Sequence, residues 1–192
     1  MGLIRLYMTV SLDGFVTGPD DSVDAPMGAD GFRLFDWLDR RADPGPNGEV
    51  YAEMLATRAV ISGRRTYEHA GHWQGDHHDG VPIFVLTHGV PEAPPPGSVR
   101  YVTDAHDCAA QARAAAGAGD VMVHGAGAAQ SLLRAGELDE LELHVVPVLL
   151  GQGRRLFDNL PAGQIELELV RRLTTSDVEP AQHVAHLRYR VR

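Results

Sequence analysis

The sequence predicts an α/β fold with a mainly parallel sheet that ends in an antiparallel C-terminal edge. Three observations lead there. Short apolar runs alternate with helical segments through the first two thirds of the chain. Strand-like runs follow one another without helices in the last third. Two of the apolar runs also end in small residues where a helix begins, as at the carboxyl ends of parallel strands.

The first strand is Leu3 to Leu12, whose near-continuous apolar pattern suits a central position. It ends at the turn pair Asp13-Gly14 and gives way to a long irregular stretch. Residues 31–41 place Phe32, Phe35 and Leu38 three apart, the stripe of an amphipathic helix. Pro44-Gly45-Pro46-Asn47-Gly48 breaks it, and a second helix is expected over 49–57. A strand at 59–62 leads to Gly63, and helical residues resume near Thr66 and fade at Ala70-Gly71. Residues 71–80 read as a polar, solvated loop before a strand at 82–87. Pro91 to Gly97 forms a Pro-rich turn, and 99–102 is another strand. Asp104 is placed to cap a helix running to Ala116. A strand at 121–124 ends in Gly125-Ala126-Gly127, and a helix from about 128 to 134 stops at Gly136. Strand candidates 139–150, 165–174 and 183–191 complete the chain. The Pro/Gly-rich stretches 43–48 and 91–97 are too short to separate domains, so residues 1–192 are expected to form one domain.

Composition narrows the function. The net charge is -9, which argues against a general nucleic-acid binder. All 17 basic residues are arginine, so Schiff-base chemistry and lysine-dependent phosphate loops are excluded. Any anionic ligand must be held by arginine, histidine or backbone amides. The single cysteine, Cys108, rules out an internal disulfide framework. No apolar run approaches the roughly 20 residues of a membrane helix, and Met1 to Arg5 shows no signal-peptide pattern, so a cytoplasmic location without membrane partners is expected.

The two strand-to-helix joints are candidate phosphate sites. At Ser62-Gly63-Arg64-Arg65-Thr66 a strand delivers a glycine, two arginines and a threonine to a helix start, where amides and guanidinium forks favour an anion. The same residues also suit an ordinary helix start with surface arginines. At His124-Gly125-Ala126-Gly127-Ala128-Ala129 small residues let a ligand approach the backbone. Gln130 stands where a dinucleotide fingerprint has its third glycine, so the joint is not a Rossmann motif. Two such joints in one small sheet suit a dinucleotide, which carries a pyrophosphate and in one form a 2′-phosphate.

These joints, with Ser11-Leu12-Asp13-Gly14-Phe15, Glu137-Leu138-Asp139-Glu140-Leu141 and Val146-Pro147-Val148-Leu149-Leu150-Gly151-Gln152-Gly153-Arg154-Arg155-Leu156-Phe157, resemble the dihydrofolate reductase-like family. The resemblance is nearest to the reductase domain of bacterial riboflavin-biosynthesis deaminase-reductases and spans about residues 3 to 190. It implies a central eight-stranded, mostly parallel sheet with flanking helices, and an NADPH-dependent reductase. By position, Gly63, Arg64, Arg65 and Thr66 would bind the pyrophosphate and 2′-phosphate. Leu86, Thr87 and His88 would face the adenosine ribose, and Gly125, Ala126, Gly127, Ala128 and Ala129 would wrap the pyrophosphate and nicotinamide ribose. Thr9 and Val16 would set main chain against the nicotinamide carboxamide. Two arginines without a nearby acid to read a ribose 2′-hydroxyl favour NADPH over NADH.

On the substrate side Asp13 is the carboxylate at the first turn and a candidate catalytic group, although Asp-Gly is also ordinary turn chemistry. Asp30 and Asp36 both lie near the position of the family's pterin-binding acid, but the segment 18–32 is too irregular to align, and neither is taken as a catalytic acid. His144 shares a strand face with Glu142, opposite Leu141, Leu143 and Val145, and could bond a reducible ring or deliver a proton; a structural histidine is the competing reading. His69, His72, His77 and His78 with Asp76 and Asp79 fit no metal-ligand spacing, so no metal is expected. Tyr67 and Trp73 are candidate walls for a planar substrate. The expected substrate is a small planar heterocycle or carbonyl compound, pterin-like or pyrimidine-like. One cysteine cannot supply the deaminase half's zinc signature, so a complete bifunctional enzyme is excluded. The alternatives are an NADP(H)-binding sensor or resistance factor without reductase activity, and a partner-binding module without cofactor. The apolar C-terminal strands and Pro147 to Phe157 are candidates for a homodimer contact.

Overall fold

A computed structural model of the chain describes residues 2–92, 99–158, 160, 163–175 and 178–192. Eight strands form one sheet: β1 (Ile4–Ser11), β2 (Ala59–Gly63), β3 (Ile83–Leu86), β4 (Val99–Val102), β5 (Val121–His124), β6 (Glu140–Val146), β7 (Leu167–Thr174) and β8 (Ala185–Val191). Their order is β4-β3-β2-β5-β1-β6-β8-β7. β1 to β6 run parallel, while β8 is antiparallel to both β6 and β7. The sheet is therefore mostly parallel with an antiparallel C-terminal edge, as the element order predicts. The α-helices are α1 (Pro46–Leu55), α2 (Arg64–His69), α3 (Ala105–Ala116) and α4 (Ala126–Ala135). Among the described residues no helix is long and apolar enough to cross a membrane.

Alternation along β1 sorts the two sheet faces. Ile4, Leu6 and Val10 join Val121, Val123 and Ile61 under Cys108, Ala109 and Ala112 of α3 and Ala128, Ala129 and Leu132 of α4. The small residues of both helices let them lie close on the sheet. The other face is polar toward its C-terminal side. Arg5 donates to Glu140 and to the Tyr7 hydroxyl, both at 2.9 Å. Glu142, fully buried, is held by Arg171 and Arg188, which also grip Glu53 of α1. Buried charges of this kind are tolerated because each has an opposite partner.

Several helix expectations are corrected. Gly31–Arg40 is helical, but as 3-10 turns, and its buried row is Gly31, Leu34 and Trp37. Phe32 and Phe35, expected on the buried stripe, are exposed. With three residues per turn, positions three apart stack in one row, and the row that faces inward is the one whose indole reaches Thr9. The second helix starts inside the presumed breaker, because Pro46 occupies the first helical position, where a missing N–H costs nothing. α4 begins at Ala126, two residues earlier than its pattern indicates. The Asp104 cap is present, its Oδ1 accepting from Asp107 N at 2.9 Å, and Gly136 ends α4 with φ +69°. Of the Pro-rich turn, residues 93–98 lie outside the described residues.

Candidate functional site

The two joints are neighbours. β2 and β5 pair in parallel with Ser62 opposite His124, so Gly63 and Gly125 leave the sheet side by side at its carboxyl edge. Gly125 has φ +94°, and a Cβ there would lie 2.3 Å from Thr66 Oγ1; the residue must be glycine for the joints to touch. A Cβ on Gly63 would lie 3.4 Å from Ala128 N, whereas one on Gly127 would meet nothing within 4 Å. The Gly125–Ala126 peptide bond is trans. β3 ends beside them, Leu86 opposite Gly63. Thr87 Oγ1 donates to Gly89 O at 3.0 Å, and His88 is exposed. Residues 63–66, 86–88 and 125–129 thus line one stretch of edge, the place where open α/β sheets bind ligands.

Each arginine carries an acidic partner. Arg64 Nε donates to Glu68 Oε1 at 2.7 Å, one helical turn on. Arg65 Nε donates to Asp21 Oδ2 at 2.8 Å. The four-residue spacing of Arg64 and Glu68 is visible in the sequence; the Asp21 contact joins positions 44 apart and has no local signal.

The first turn is stapled to the segment after β6. Asp13 Oδ2 accepts from Gly151 N at 2.7 Å, and Oδ1 accepts from the Ser11 hydroxyl at 2.6 Å and Leu150 N at 3.2 Å. The Ser11 hydroxyl and these amides hold the Asp13 carboxyl below the usual carboxylate range. Val16 is buried and donates its N–H to Arg154 O at 2.8 Å. Thr9 is buried too, its Oγ1 accepting from Trp37 Nε1 at 3.2 Å.

His144 lies in the same layer, opposite Thr9 on β1 and His186 on β8. Its Nδ1 is 2.9 Å from His186 Nδ1. His186 Nε2 is 3.0 Å from Asn47 Oδ1, and Asn47 Nδ2 donates to Trp37 O at 3.1 Å. The Trp37 indole packs on both imidazoles, with ring centroids 4.8 and 5.1 Å away. Burial drives His144 well below its ordinary pKa, and His186 adds to the effect. Burial, with Arg171 nearby, lowers His186 to about 4. Both rings are neutral at pH 7. The sequence placed His144 and Glu142 on one face; it gave no hint of His186, Asn47 or Trp37 as neighbours.

The segment expected to be a solvated loop is instead packed. Gly71, His72, Trp73, Gln74 and Gly75 all have positive φ, forming a short left-handed turn. Such a conformation costs roughly 1–2 kcal/mol for each non-glycine residue, so side-chain contacts must offset it. They are aromatic: Trp73 lies against Tyr67, His77 and His124 with centroids 5.6, 4.6 and 6.1 Å apart, and His77 stacks on His124 at 5.1 Å. His78 is buried, with Nε2 3.1 Å from Thr57 O. Burial, with His124 and His78 adding to it, lowers His77 to about 3. Burial likewise lowers His124 to about 4, against its contact with Tyr7 O. Tyr67 and Trp73, paired in the sequence reading, do touch, and the buried Tyr67 hydroxyl has no hydrogen-bond partner among the described residues.

The chain is similar to several known proteins. The family described as RibD C-terminal domain matches residues 103–178. YwjB of Bacillus subtilis (strain 168), an uncharacterized protein, is 30% identical over 165 residues, covering 81% of this chain and 82% of its own. A protein of Shewanella sp. PV-4 assigned to riboflavin biosynthesis superposes with a TM-score of 0.71 at 21% identity, covering 100% of this chain and 99% of its own. Dihydrofolate reductase of Enterococcus faecalis, complexed with NADP(H), superposes with a TM-score of 0.63 at 14% identity, covering 99% of this chain and 96% of its own. The superpositions establish the dihydrofolate reductase-like fold. The chain belongs to the RibD C-terminal domain family of reductase domains.

Proposed function

We propose that this protein is an NADPH-dependent reductase that delivers hydride to a small planar heterocycle or carbonyl compound, pterin-like or pyrimidine-like. The observation that carries the reading is the contact between the two joints, Thr66 filling the space a Gly125 side chain would need. Beside that contact lie open space at Gly127 and two half-exposed arginines. Such a set suits a pyrophosphate with a 2′-phosphate. The cofactor, when bound, supplies the hydride.

The chain's own residues bind and orient. Arg64, Arg65 and Thr66 would take the phosphates, Leu86, Thr87 and His88 the adenosine ribose, and Gly125 to Ala129 the pyrophosphate and nicotinamide ribose. Main chain at Thr9 and Val16 would meet the carboxamide. Asp13 acts by position, fixing the first turn to residues 150 and 151. His144 is neutral and keeps its Nδ1 turned to His186, which leaves Nε2 to accept from a substrate donor. Tyr67 and Trp73 flank a planar ring. At the outer edge β7 exposes Leu167, Leu169 and Val170, which suit a homodimer contact in what we read as a one-domain chain; a monomer mass by light scattering would remove that part.

The test is oxidation of NADPH by the purified protein in the presence of pterins, aminopyrimidinones and small carbonyl compounds. Turnover with any of them supports the reductase. NADPH binding without turnover across the panel would favour a binding protein that has lost the chemistry. No NADPH binding by a folded protein would contradict the reading.

A further inference from the structure

Arg65 and His69 of α2 and Arg154 from a distant part of the chain converge on one carboxylate. Arg65 donates Nε to Asp21 Oδ2 at 2.8 Å and NH2 to the Asp21 carbonyl at 2.6 Å. Arg154, from the segment paired with the first turn, reaches Asp21 Oδ1 at 3.4 Å. His69 Nδ1 lies 3.6 Å from Oδ2. The charges do not balance, since one carboxylate faces two permanent cations. Among the described residues neither arginine has a second acidic partner. The Asp21 side chain is 10% exposed, whereas those of Arg65 and Arg154 are 49% and 43% exposed. The carboxylate is the inner plug of a cationic group that stays open to solvent.

Asp21 sits in a loop whose ends meet. Gly18 N donates to Met27 O at 2.8 Å, Ala29 N to Pro19 O at 2.9 Å, and Ser22 N to Ala25 O at 3.0 Å. A Cβ on Gly31 would lie 2.9 Å from Gly18 N, so the loop closes on itself between two glycines. Its internal hydrogen bonds let it shift as a unit, with Gly18 and Gly31 absorbing the backbone change. Its Asp21 end is held by the Arg65 and Arg154 ion pairs and the Arg65 bond to the Asp21 carbonyl, contacts for which a stronger anion competes.

We propose that Arg65, Arg154 and His69 form a phosphoryl-binding site whose built-in occupant is Asp21, and that a ligand phosphate displaces this carboxylate and frees the loop 18–31. A phosphoryl group offers more charge and more acceptor oxygens than a carboxylate, and matches two guanidinium forks. Arg65 follows Gly63 and Arg64 at the β2–α2 joint, so the site is continuous with the proposed dinucleotide cradle. The inference rests on that reading only for one of two sources of the phosphate: the cofactor's pyrophosphate, or a phosphate ester on the substrate.

The test is calorimetric titration of the wild type, Asp21→Asn and Arg154→Gln with NADPH, inorganic pyrophosphate and ribose 5-phosphate. If the free site is populated about a tenth of the time, Asp21→Asn tightens phosphate binding roughly tenfold, and Arg154→Gln weakens it by a similar factor. A gain with NADPH and pyrophosphate assigns the site to the dinucleotide; a gain with ribose 5-phosphate assigns it to a phosphorylated substrate. A folded Asp21→Asn protein that binds all three no more tightly than wild type overturns the inference. If that variant does not fold, a folded Arg154→Gln protein with wild-type affinities overturns it equally. Tight NADPH binding, with Asp21→Asn tightening none of the three ligands, would sink this inference and spare the reductase. A pyrophosphate gain without NADPH binding would do the reverse.

Discussion

His144 Nδ1 lies 2.9 Å from His186 Nδ1, so one ring donates to the other and the pair shares a single proton. The surrounding bonds decide which. Asn47 donates its amide N–H to Trp37 O, which turns its oxygen to His186 Nε2. His186 therefore carries its proton on Nε2 and accepts at Nδ1, and His144 is the donor. A residue at the start of α1 thus sets the tautomer of a histidine on β6.

Asn47→Leu tests that chain. It keeps the branched shape of the side chain but leaves His186 Nε2 and Trp37 O without their partner. An unsatisfied buried polar group costs about 1–3 kcal/mol, and the urea midpoint should fall accordingly. A midpoint within about 0.5 kcal/mol of wild type would show that the histidine pair does not depend on Asn47.

Acid should destabilise the fold well above the carboxylate range. Burial holds His186 and His124 neutral down to about pH 4 and His77 to about pH 3. In the unfolded chain they take up a proton near pH 6.5. Between these limits the unfolded state binds more protons, so stability is full above pH 6.5 and falls as pH drops toward 4. Each histidine contributes up to about 1.4 kcal/mol per pH unit in that window. Urea midpoints at about pH 7.5 and pH 5 measure it, and equal midpoints would contradict the buried neutral assignment.

Gly125 and Gly127 should separate folding from binding. Gly125→Ala puts a methyl against Thr66 at positive φ and should lower stability by about 1–3 kcal/mol. Gly127→Ala meets nothing and lies inside a helix, where alanine is worth about 0.5–1 kcal/mol more than glycine. Its melting temperature should rise slightly while nucleotide affinity falls. A Gly127→Ala protein that binds nucleotide as well as wild type would place the ligand elsewhere.

Much of the sheet is legible in the sequence because its signals are local. Val121 to His124 and Ala59 to Ser62 are short apolar runs closed by glycine, and Asp104 announces α3 three residues before the amide it caps. What escapes is long-range or ambiguous. Pro46 reads equally as a breaker and as a helix start, and only packing of Asn47 under Trp37 decides. The left-handed turn at 71–75 is chosen by the rings it stacks, a condition invisible in five polar-looking residues. The cradle glycines could be picked out because glycine is conspicuous; Asp21, 44 positions from its arginine, could not.

The central claim is that Arg64 and Arg65 beside Gly125 hold the phosphates of NADPH. Calorimetric titration of wild type and of the Arg64→Ala, Arg65→Ala double variant with NADPH and NADH tests it most directly. The account predicts that wild type prefers NADPH and that the double variant loses roughly tenfold or more of NADPH affinity, with a smaller loss for NADH. Equal losses for the two nucleotides, or NADPH binding that survives without either arginine, would contradict it.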